Sequence, residues 1–292
     1  MPNLYVSVTE LRAAMPDGIR AATTKYDALM FRLAGEVSRW IDQECKRKFY
    51  PSLATRYFDG GGKAELWVPD LLSITSISYS EDDGETYTAL VAADYIATCA
   101  GDYNSLKSYT LLLINLNSDT LSYWPRGQRS VKIVGSWGYA DDRDAAWGDT
   151  GDTVENNPLA AGGASLTVND VDGLDLYGAY ARLQAGHLLK IESEYVETTL
   201  VIDTTANTIG ITRAANGTTA AAHAQNTAIS VWRPPEPVKQ AAAIQVLRHV
   251  ERGFQGFGDA RAQPDVGQMF FFKQIDPEAA AKLAPYRMME IP

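Results

Sequence analysis

The chain has 292 residues, a formal net charge of −10 at pH 7 and a hydrophobic fraction of 46%. This length provides for two domains of ordinary size, and this apolar fraction provides for a buried core. Because affinity for phosphate comes from Lys and Arg, the acidic balance argues against nucleic-acid binding as the main activity. No apolar run reaches the ~18 residues that a membrane helix needs, so no contact with a membrane is expected.

Two helices are predicted near the N-terminus. A short helix begins at Ser7 or Thr9, either of which can cap it. A longer helix begins at a capping box at residues 24–27 and runs to about Lys48. Residues 46–48 are all basic, and positive charge is favourable at the C-terminal end of a helix dipole. Contact with nucleic acid is the alternative role for these residues. The apolar stripe of the longer helix contains Leu29, Leu33, Val37, Trp40, Ile41 and Cys45.

The middle of the chain has the period of β-strands. From Arg56 to Tyr139 the apolar residues alternate, which predicts a compact antiparallel β region. Its last strand leads into the aromatic turn Trp137-Gly138-Tyr139. Residues 58–158 contain 16 acidic and 6 basic side chains, so the negative charge is concentrated here. The aspartates within residues 141–144 fit a flexible acidic linker or, alternatively, a metal site.

A segment of different composition interrupts this pattern. Residues 159–232 are rich in Thr, Val, Ile and Ala, which predicts a small all-β module. The chain then returns to helix, with Pro235 in the first turn. We therefore predict one domain at residues 1–158 and 233–292, interrupted by an inserted domain at 159–232. The predicted fold class is α+β, with a helical core, an antiparallel β region and the inserted module. The helices after Thr24 and Pro235 are expected to pack together.

The C-terminal segment combines an apolar run with a short helix. Residues 269–272 are too apolar to remain in water without a partner. Asp276-Pro277-Glu278 is typical of a helix start, with a cap, a proline in the first turn and an early acid. The helix that follows ends near Ala284, and a helix this short has little stability by itself. We expect this segment to become ordered on a partner.

The sequence contains no motif typical of catalysis. The three histidines, His187, His223 and His249, are not accompanied by a nucleophile elbow, and the common zinc and phosphate-loop motifs are not found. Glu192 and Glu194 could form the carboxylate pair of a glycoside hydrolase, but exposed acids on a strand explain them more simply. We therefore expect no enzymatic activity, no cofactor and no metal, with a hydrolase as a rival hypothesis.

The order of these features resembles the head–tail connector (adaptor, or head-completion) proteins of tailed double-stranded DNA bacteriophages. The resemblance covers residues 4–140 and 233–288. It rests on the N-terminal helix pair, the strand that closes on Trp137-Gly138-Tyr139, the proline-led helix and the tail Leu283-Ala284-Pro285-Tyr286-Arg287. Residues 159–232 instead resemble small β modules of phage structural proteins, through the run from Thr212 to His223.

The resemblance implies a helical connector core and a ring of about twelve subunits in the virion neck, assembled in the host cytoplasm. Such a ring extends the DNA channel, joins the portal protein to a tail or second neck protein, and lets packaged DNA pass without specific binding. The resemblance implies that the C-terminal segment contacts the portal, through Phe270, Phe271, Phe272, Ile275, Leu283, Tyr286 and Arg287.

The alternative hypothesis is a tail or baseplate adhesion protein whose β module binds glycan. The aromatic residues of that module that could stack on a sugar are Tyr177, Tyr180, Tyr195 and Trp232.

Overall fold

The computed structural model describes residues 3–15, 24–175, 178, 181–254, 260–263, 268–271 and 275–288. The helices in this part of the chain are α1 (Val8–Ala13), α2 (Asp27–Cys45), α3 (Glu236–Phe254) and α4 (Pro277–Leu283). Ser7 caps α1 in a capping box with Glu10, and the Asp276 carboxylate caps α4 by accepting from the Glu278 N–H at 2.8 Å. The N-terminal caps of these two helices are therefore as predicted.

The first sheet contains six antiparallel strands in the order β1-β6-β2-β5-β4, with β3 beside β2. β2 is 15 residues long and changes neighbours: residues 65–71 pair with β5, and residues 71–79 pair with β6. The core of this sheet includes the buried Trp124 and Trp137. The strands are β1 (Ser52–Gly60), β2 (Glu65–Tyr79), β3 (Thr88–Leu90), β4 (Tyr95–Thr98), β5 (Tyr109–Ile114) and β6 (Gly127–Trp137).

The second sheet also contains six strands, in the order β7-β12-β9-β10-β11-β8. Its core is built from aliphatic side chains, among them Val154, Leu189 and Val196, all fully buried. The strands are β7 (Trp147–Thr153), β8 (Ser165–Thr167), β9 (Leu188–Ile191), β10 (Glu194–Asp203), β11 (Thr208–Thr212) and β12 (Ala228–Trp232). A separate two-stranded sheet pairs β13 (Ala260–Gln263) with β14 (Gln268–Phe271).

The chain divides into two compact units. The first contains residues 1–46, 148–215 and 220–292, which include the helices and the second sheet; the second contains residues 47–147 and 216–219, which include the first sheet. Within the first unit α3 packs against α1, α2 and α4, so the predicted packing of the two long helices is confirmed. The Asn3 N–H also donates to the Glu197 carboxylate at 2.7 Å, which joins the N-terminal segment to the second sheet.

The predicted helical connector core is wrong. Two six-stranded, mostly antiparallel sheets form the framework, and among the helices that the structure describes only α2 and α3 are long, at 19 residues each. The helical periodicity was real, but it covers short stretches, whereas the alternating pattern continues through most of the chain from Ser52 to Trp232. α1, α2 and α4 pack against α3. The two large hydrophobic cores are formed by the sheets.

The boundaries of the inserted domain stay a prediction. The second sheet includes β7, which begins at Trp147 and therefore before the predicted boundary at residue 159. After Trp147, the sequence of β7 repeats Gly, Asp and Thr, of which only Thr favours strands, so this stretch has the composition of a linker.

Candidate functional site

An apolar surface lies on the side of the first sheet that faces away from its core. Trp67 of β2 pairs with Leu111 of β5, and Leu113 of β5 pairs with Ile96 of β4. Cross-strand partners point to the same side of a sheet, and so do residues two apart on one strand. These four side chains therefore lie on one side of the sheet, which we call the Trp67 face. Trp67 is 49% exposed and Ile96 is 44% exposed, whereas Leu113 is half-buried and Leu111, between Trp67 and the next strand, is only 8% exposed.

The Trp67 face exists because β5 is apolar on both sides. Leu111, Leu112 and Leu113 are consecutive, so Leu112 points into the core, where it is fully buried, and the other two point outward. An antiparallel sheet with one solvated side normally alternates apolar and polar residues. The break in this alternation leaves apolar surface that the core of the sheet does not cover. Large, contiguous exposed apolar surfaces mark interaction sites.

The Trp137-Gly138-Tyr139 turn has a packing role in the same unit. Trp137 is buried, its indole N–H donates to the Ala54 carbonyl at 2.9 Å, and Arg56 lies 4.3 Å above its ring. Gly138 has φ +151° and its Cα lies so close to the Tyr50 carbonyl that a Cβ would come within 2.3 Å of the oxygen. The motif that carries the resemblance is therefore part of the fold and not an exposed contact.

Two arginines surround a buried carboxylate beside this turn. Arg47 lies 3.3 Å from Asp70 and 4.3 Å above the ring of Tyr139. Burial raises the pKa of Asp70, against the opposing effect of Arg47 and Arg56, and burial lowers the pKa of Arg56, against the effect of Asp70. Arg47 is thus engaged within its own unit, which favours a structural role over contact with nucleic acid.

Glu194 is the centre of a buried polar cluster in the second sheet. Its carboxylate accepts hydrogen bonds from Arg213 Nε at 2.8 Å and Nη2 at 2.6 Å, and from the backbone N–H groups of Ala214 and Ala221 at 2.9 and 3.1 Å. His223 Nε2 lies 2.9 Å away, and its Nδ1 lies 2.7 Å from Glu192. Burial raises the pKa of Glu194, but the hydrogen bonds outweigh it and lower the pKa to about 2.

This arrangement does not suit a glycoside hydrolase. A general acid needs a raised pKa and access to substrate, whereas Glu194 has a lowered pKa and no exposed surface. The cluster instead ties the segment between β11 and β12 to the sheet, because Ala214 and Ala221 of that segment donate to one carboxylate. Sequence analysis had placed Glu194 as an exposed strand acid; the structure places it in the core.

The acidic stretch after Tyr139 forms turns. Asp142 accepts from the N–H groups of Asp144 and Ala145 at 2.9 and 3.1 Å, which is a local turn. Among the residues that the structure describes, no three His, Cys, Asp or Glu side chains converge as a metal site. In the same part of the chain, no helix is long and apolar enough to cross a membrane.

The structure separates the residues predicted to contact a portal. Leu283 is fully buried and Tyr286 is 8% exposed, while Arg287 forms an ion pair with Glu44. Ile275 is half-buried just before α4, and Phe272 lies outside the described residues. Phe270 and Phe271 belong to β14, in the separate two-stranded sheet. Residues 276–288 are therefore packed on their own chain, whereas β14 pairs with β13 alone among the strands that the structure describes.

Two of the four aromatic residues of the glycan hypothesis are buried. Tyr195 and Trp232 are 8% and 6% exposed, so their rings are covered. Tyr177 and Tyr180 lie outside the described residues.

Comparisons with protein-family models, with curated proteins and with solved structures found no match to this chain.

Sequence analysis missed the Trp67 face, although a signal was present. Trp67 lies between Leu66 and Val68, and three leucines are consecutive at 111–113. Both patterns predict a strand that is apolar on two sides. What the sequence did not provide was the register, which brings these residues together with Ile96.

Proposed function

We propose that this protein is a structural adaptor of the neck of a tailed bacteriophage, which forms a ring, joins the portal to the tail or to the next neck protein, and extends the DNA channel. The Trp67 face is the observation that carries the assembly role. The residue pattern that resembles head–tail connectors supplies the assignment to the neck. The helical core that this resemblance implied is not part of the proposal.

The Trp67 face has the properties of a protein interface. It lies on three hydrogen-bonded strands, so it is a rigid surface. Its centre is a half-exposed tryptophan, a residue type enriched among those that contribute most to binding free energy. Exposed Glu65 is the cross-strand partner of Leu113. It therefore gives the Trp67 face a polar margin, as interfaces normally have. A subunit with such a surface is expected to be covered by another protein in its functional state.

The distribution of charge supports passage of DNA without binding. Residues 58–158 contain 16 acidic and 6 basic side chains. A channel wall with this balance repels the phosphate backbone and so prevents adhesion of DNA. In the proposed ring, part of this acidic segment lines the channel.

The proposal is tested by the assembly state of the purified chain and by its binding to the portal of its phage. We expect ring-shaped particles in electron micrographs, a mass of many subunits, and co-sedimentation with portal particles. Trp67→Lys should weaken either the contact between subunits of the ring or the binding to portal particles at least tenfold, because it places a charge in an apolar interface. Tyr103→Lys, at an aromatic residue that is 70% exposed, is the matched control and should assemble like the wild type.

A chain that remains monomeric and does not bind portal particles would overturn the proposal. If that monomer bound glycans, the adhesion hypothesis would replace it. Equal assembly of both variants would show that the Trp67 face is not an interface.

A further inference from the structure

His223 is a buried histidine whose two ring nitrogens both face carboxylates. Its side chain is 1% exposed, and its backbone exchanges two hydrogen bonds with Leu159, at 2.9 and 3.0 Å. Nδ1 lies 2.7 Å from Glu192, and Nε2 lies 2.9 Å from Glu194. Glu192 belongs to the two-residue turn between β9 and β10, and Glu194 is the first residue of β10. The ring is therefore held between two acids of one hairpin.

When both acids are ionised, this geometry fits only one charge state of the ring. A neutral imidazole has one N–H donor and one acceptor nitrogen, whereas an imidazolium has two donors. Burial raises the pKa of Glu194, but hydrogen bonds from Arg213 and from backbone N–H groups lower it to about 2, so this carboxylate only accepts. A neutral ring would turn a nitrogen lone pair towards one of the two carboxylates, which is repulsive. An imidazolium donates to both.

The backbone at Glu192 is an independent observation on the same contact. Its φ is +53°, in the left-handed region that Gly, Asn and Asp adopt more readily than Glu. Two-residue hairpin turns favour Asn-Gly or Asp-Gly, whereas this turn is Glu192-Ser193. The Glu192 side chain is 61% exposed, and His223 is its only hydrogen-bond partner among the described residues. The contact with His223 therefore stabilises a turn that is unfavourable for glutamate by itself.

The contact also holds one end of the segment at residues 213–223, which we call the arm. Ala214 and Ala221 of the arm donate their N–H groups to Glu194 at 2.9 and 3.1 Å, and His223 is the last residue of the arm. Residues 216–219 belong to the second compact unit, and the remainder of the arm belongs to the first. The charged groups recorded around His223 are the carboxylates of the hairpin and, beyond Glu194, the guanidinium at the start of the arm.

We propose that His223 is a proton-dependent latch on the arm. With both nitrogens protonated, the ring bridges Glu192 and Glu194, and the arm is held closed. When Nδ1 releases its proton to solvent, the Nε2–H stays on Glu194, whereas the Nδ1 lone pair repels Glu192, which is free to turn into water. The arm has then lost one of its contacts and opens more often. Histidine is the side chain that most readily changes charge near neutral pH, so the latch responds in that range.

The charge state of the ring is read by NMR on the full chain labelled with ¹⁵N in its histidines. His223→Gln identifies the signal of His223 among the three histidines. At pH 6 we expect protons on both of its ring nitrogens. A single protonated nitrogen at pH 6 in the folded chain would overturn the proposal. If His223→Gln does not fold, the signal is identified by its response to Glu192→Gln, at an exposed side chain.

The opening of the arm is measured by amide hydrogen exchange of Ala214 and Ala221 at pH 6 and pH 9, each corrected for the rate of the unfolded chain at that pH. Protection of both amides in the wild type should fall about tenfold as the pH rises, because proton binding favours the closed arm. Protection of Val196, in the core of the sheet, should not change. In Glu192→Gln the fall should disappear, since an amide can donate or accept and therefore fits either charge state of the ring.

The matched control is Glu236→Gln, at an exposed acid on α3, which should keep the pH response of the wild type. Parallel responses of the wild type and Glu192→Gln would overturn the latch, because the arm would then be insensitive to the charge of the ring. This inference does not depend on the proposed ring of subunits. Its measurements need neither assembly nor portal particles, so their failure would leave the proposed function intact.

Discussion

At the scale of single residues, Glu194 is the buried charge on which the segment between β11 and β12 depends. Arg213 supplies two of its donors and is itself 8% exposed. We expect Arg213→Ala to lower the free energy of unfolding by about 3–5 kcal/mol, because it leaves a buried carboxylate without its countercharge. Urea unfolding followed by circular dichroism measures this change.

The matched control for this prediction is Arg32→Ala. Arg32 and Glu36 form an exposed pair on α2 at 3.8 Å, which is expected to contribute less than about 0.5 kcal/mol. If Arg213→Ala fails to fold, Arg213→Lys, which retains the charge, provides an intermediate value. Equal effects of Arg213→Ala and Arg32→Ala would contradict the role of the cluster.

His187 gives the first unit a dependence on pH. Burial lowers the pKa of His187 from 6.5 to about 4; Glu10 opposes this, Lys239 reinforces it, and Asp175 opposes it. Its Nδ1 is buried and has no hydrogen-bond partner among the described residues. Since the folded pKa lies below the unfolded one, the neutral ring stabilises the fold fully above pH 6.5, and this contribution is lost as the pH falls through 4.

The comparison with His187→Gln isolates this contribution. Between pH 7 and pH 4.5 the wild type should lose about 1–3 kcal/mol more stability than the variant, since one pKa unit corresponds to ~1.4 kcal/mol. The window lies above the one in which Glu194 is protonated, because its stabilising contribution is lost only as the pH falls from 4.5 towards 2. Parallel pH profiles for the two proteins would show that His187 is not responsible.

At the scale of elements, α4 shows that a short helix is stable when it is packed and capped. Arg248 of α3 binds its cap residue Asp276 at 2.7 Å, and Leu283 is fully buried. Leu283→Ala should therefore lower stability by about 2–5 kcal/mol through the cavity it leaves. Lys282→Ala, at the next residue, should cost less than about 1 kcal/mol. Thermal unfolding of both variants measures the difference, and an unchanged Leu283→Ala would mean that α4 is detached in solution.

The elements differ in how far sequence predicts them. The caps of α1 and α4 are local hydrogen bonds, so residues three apart or closer specify them. β7 was not predictable in the same way, because its residues have weak strand propensity and it is held by the sheet beside it: the Thr150 hydroxyl donates to the Ile229 carbonyl at 2.7 Å. The Glu194 cluster joins residues up to 31 positions apart in the chain, and composition cannot reveal that pairing.

At the scale of the whole molecule, the sequence predicts that strands are present, but it does not predict that sheets, and not helices, form the main cores. Amphipathic stripes identified α2 and α3, yet a stripe indicates only that a helix is packed, not that helices form the core. The cores of the two sheets draw on residues from Leu66 to Trp137 and from Val154 to Ile229. Which elements form a core depends on how the strands pair in the folded chain, and a single sequence does not show that pairing.

Because each of these cores is nearly continuous in the chain, we expect the fragment of residues 47–147 to fold alone. It contains all of the first-sheet core, so it should show a cooperative thermal transition and dispersed amide NMR signals. The fragment of residues 159–232 is the comparison: it lacks β7 and the buried Val154, and it should be less stable or unfolded. A stable 159–232 fragment would instead support the originally predicted boundaries of the inserted domain.

The change of neighbours along β2 has a consequence for motion. One strand contributes residues 65–67 and Leu71 to its pairing with β5 and residues 71–79 to its pairing with β6, with a register shift on each side of Leu71. Opening either ladder alone would bend or release the same backbone at Leu71, so amide hydrogens on both sides of that residue should exchange with deuterium at a common, slow rate. The Trp67 face would then be as rigid as the β6 side of its sheet. Binding of a partner would therefore cost little conformational entropy of this face.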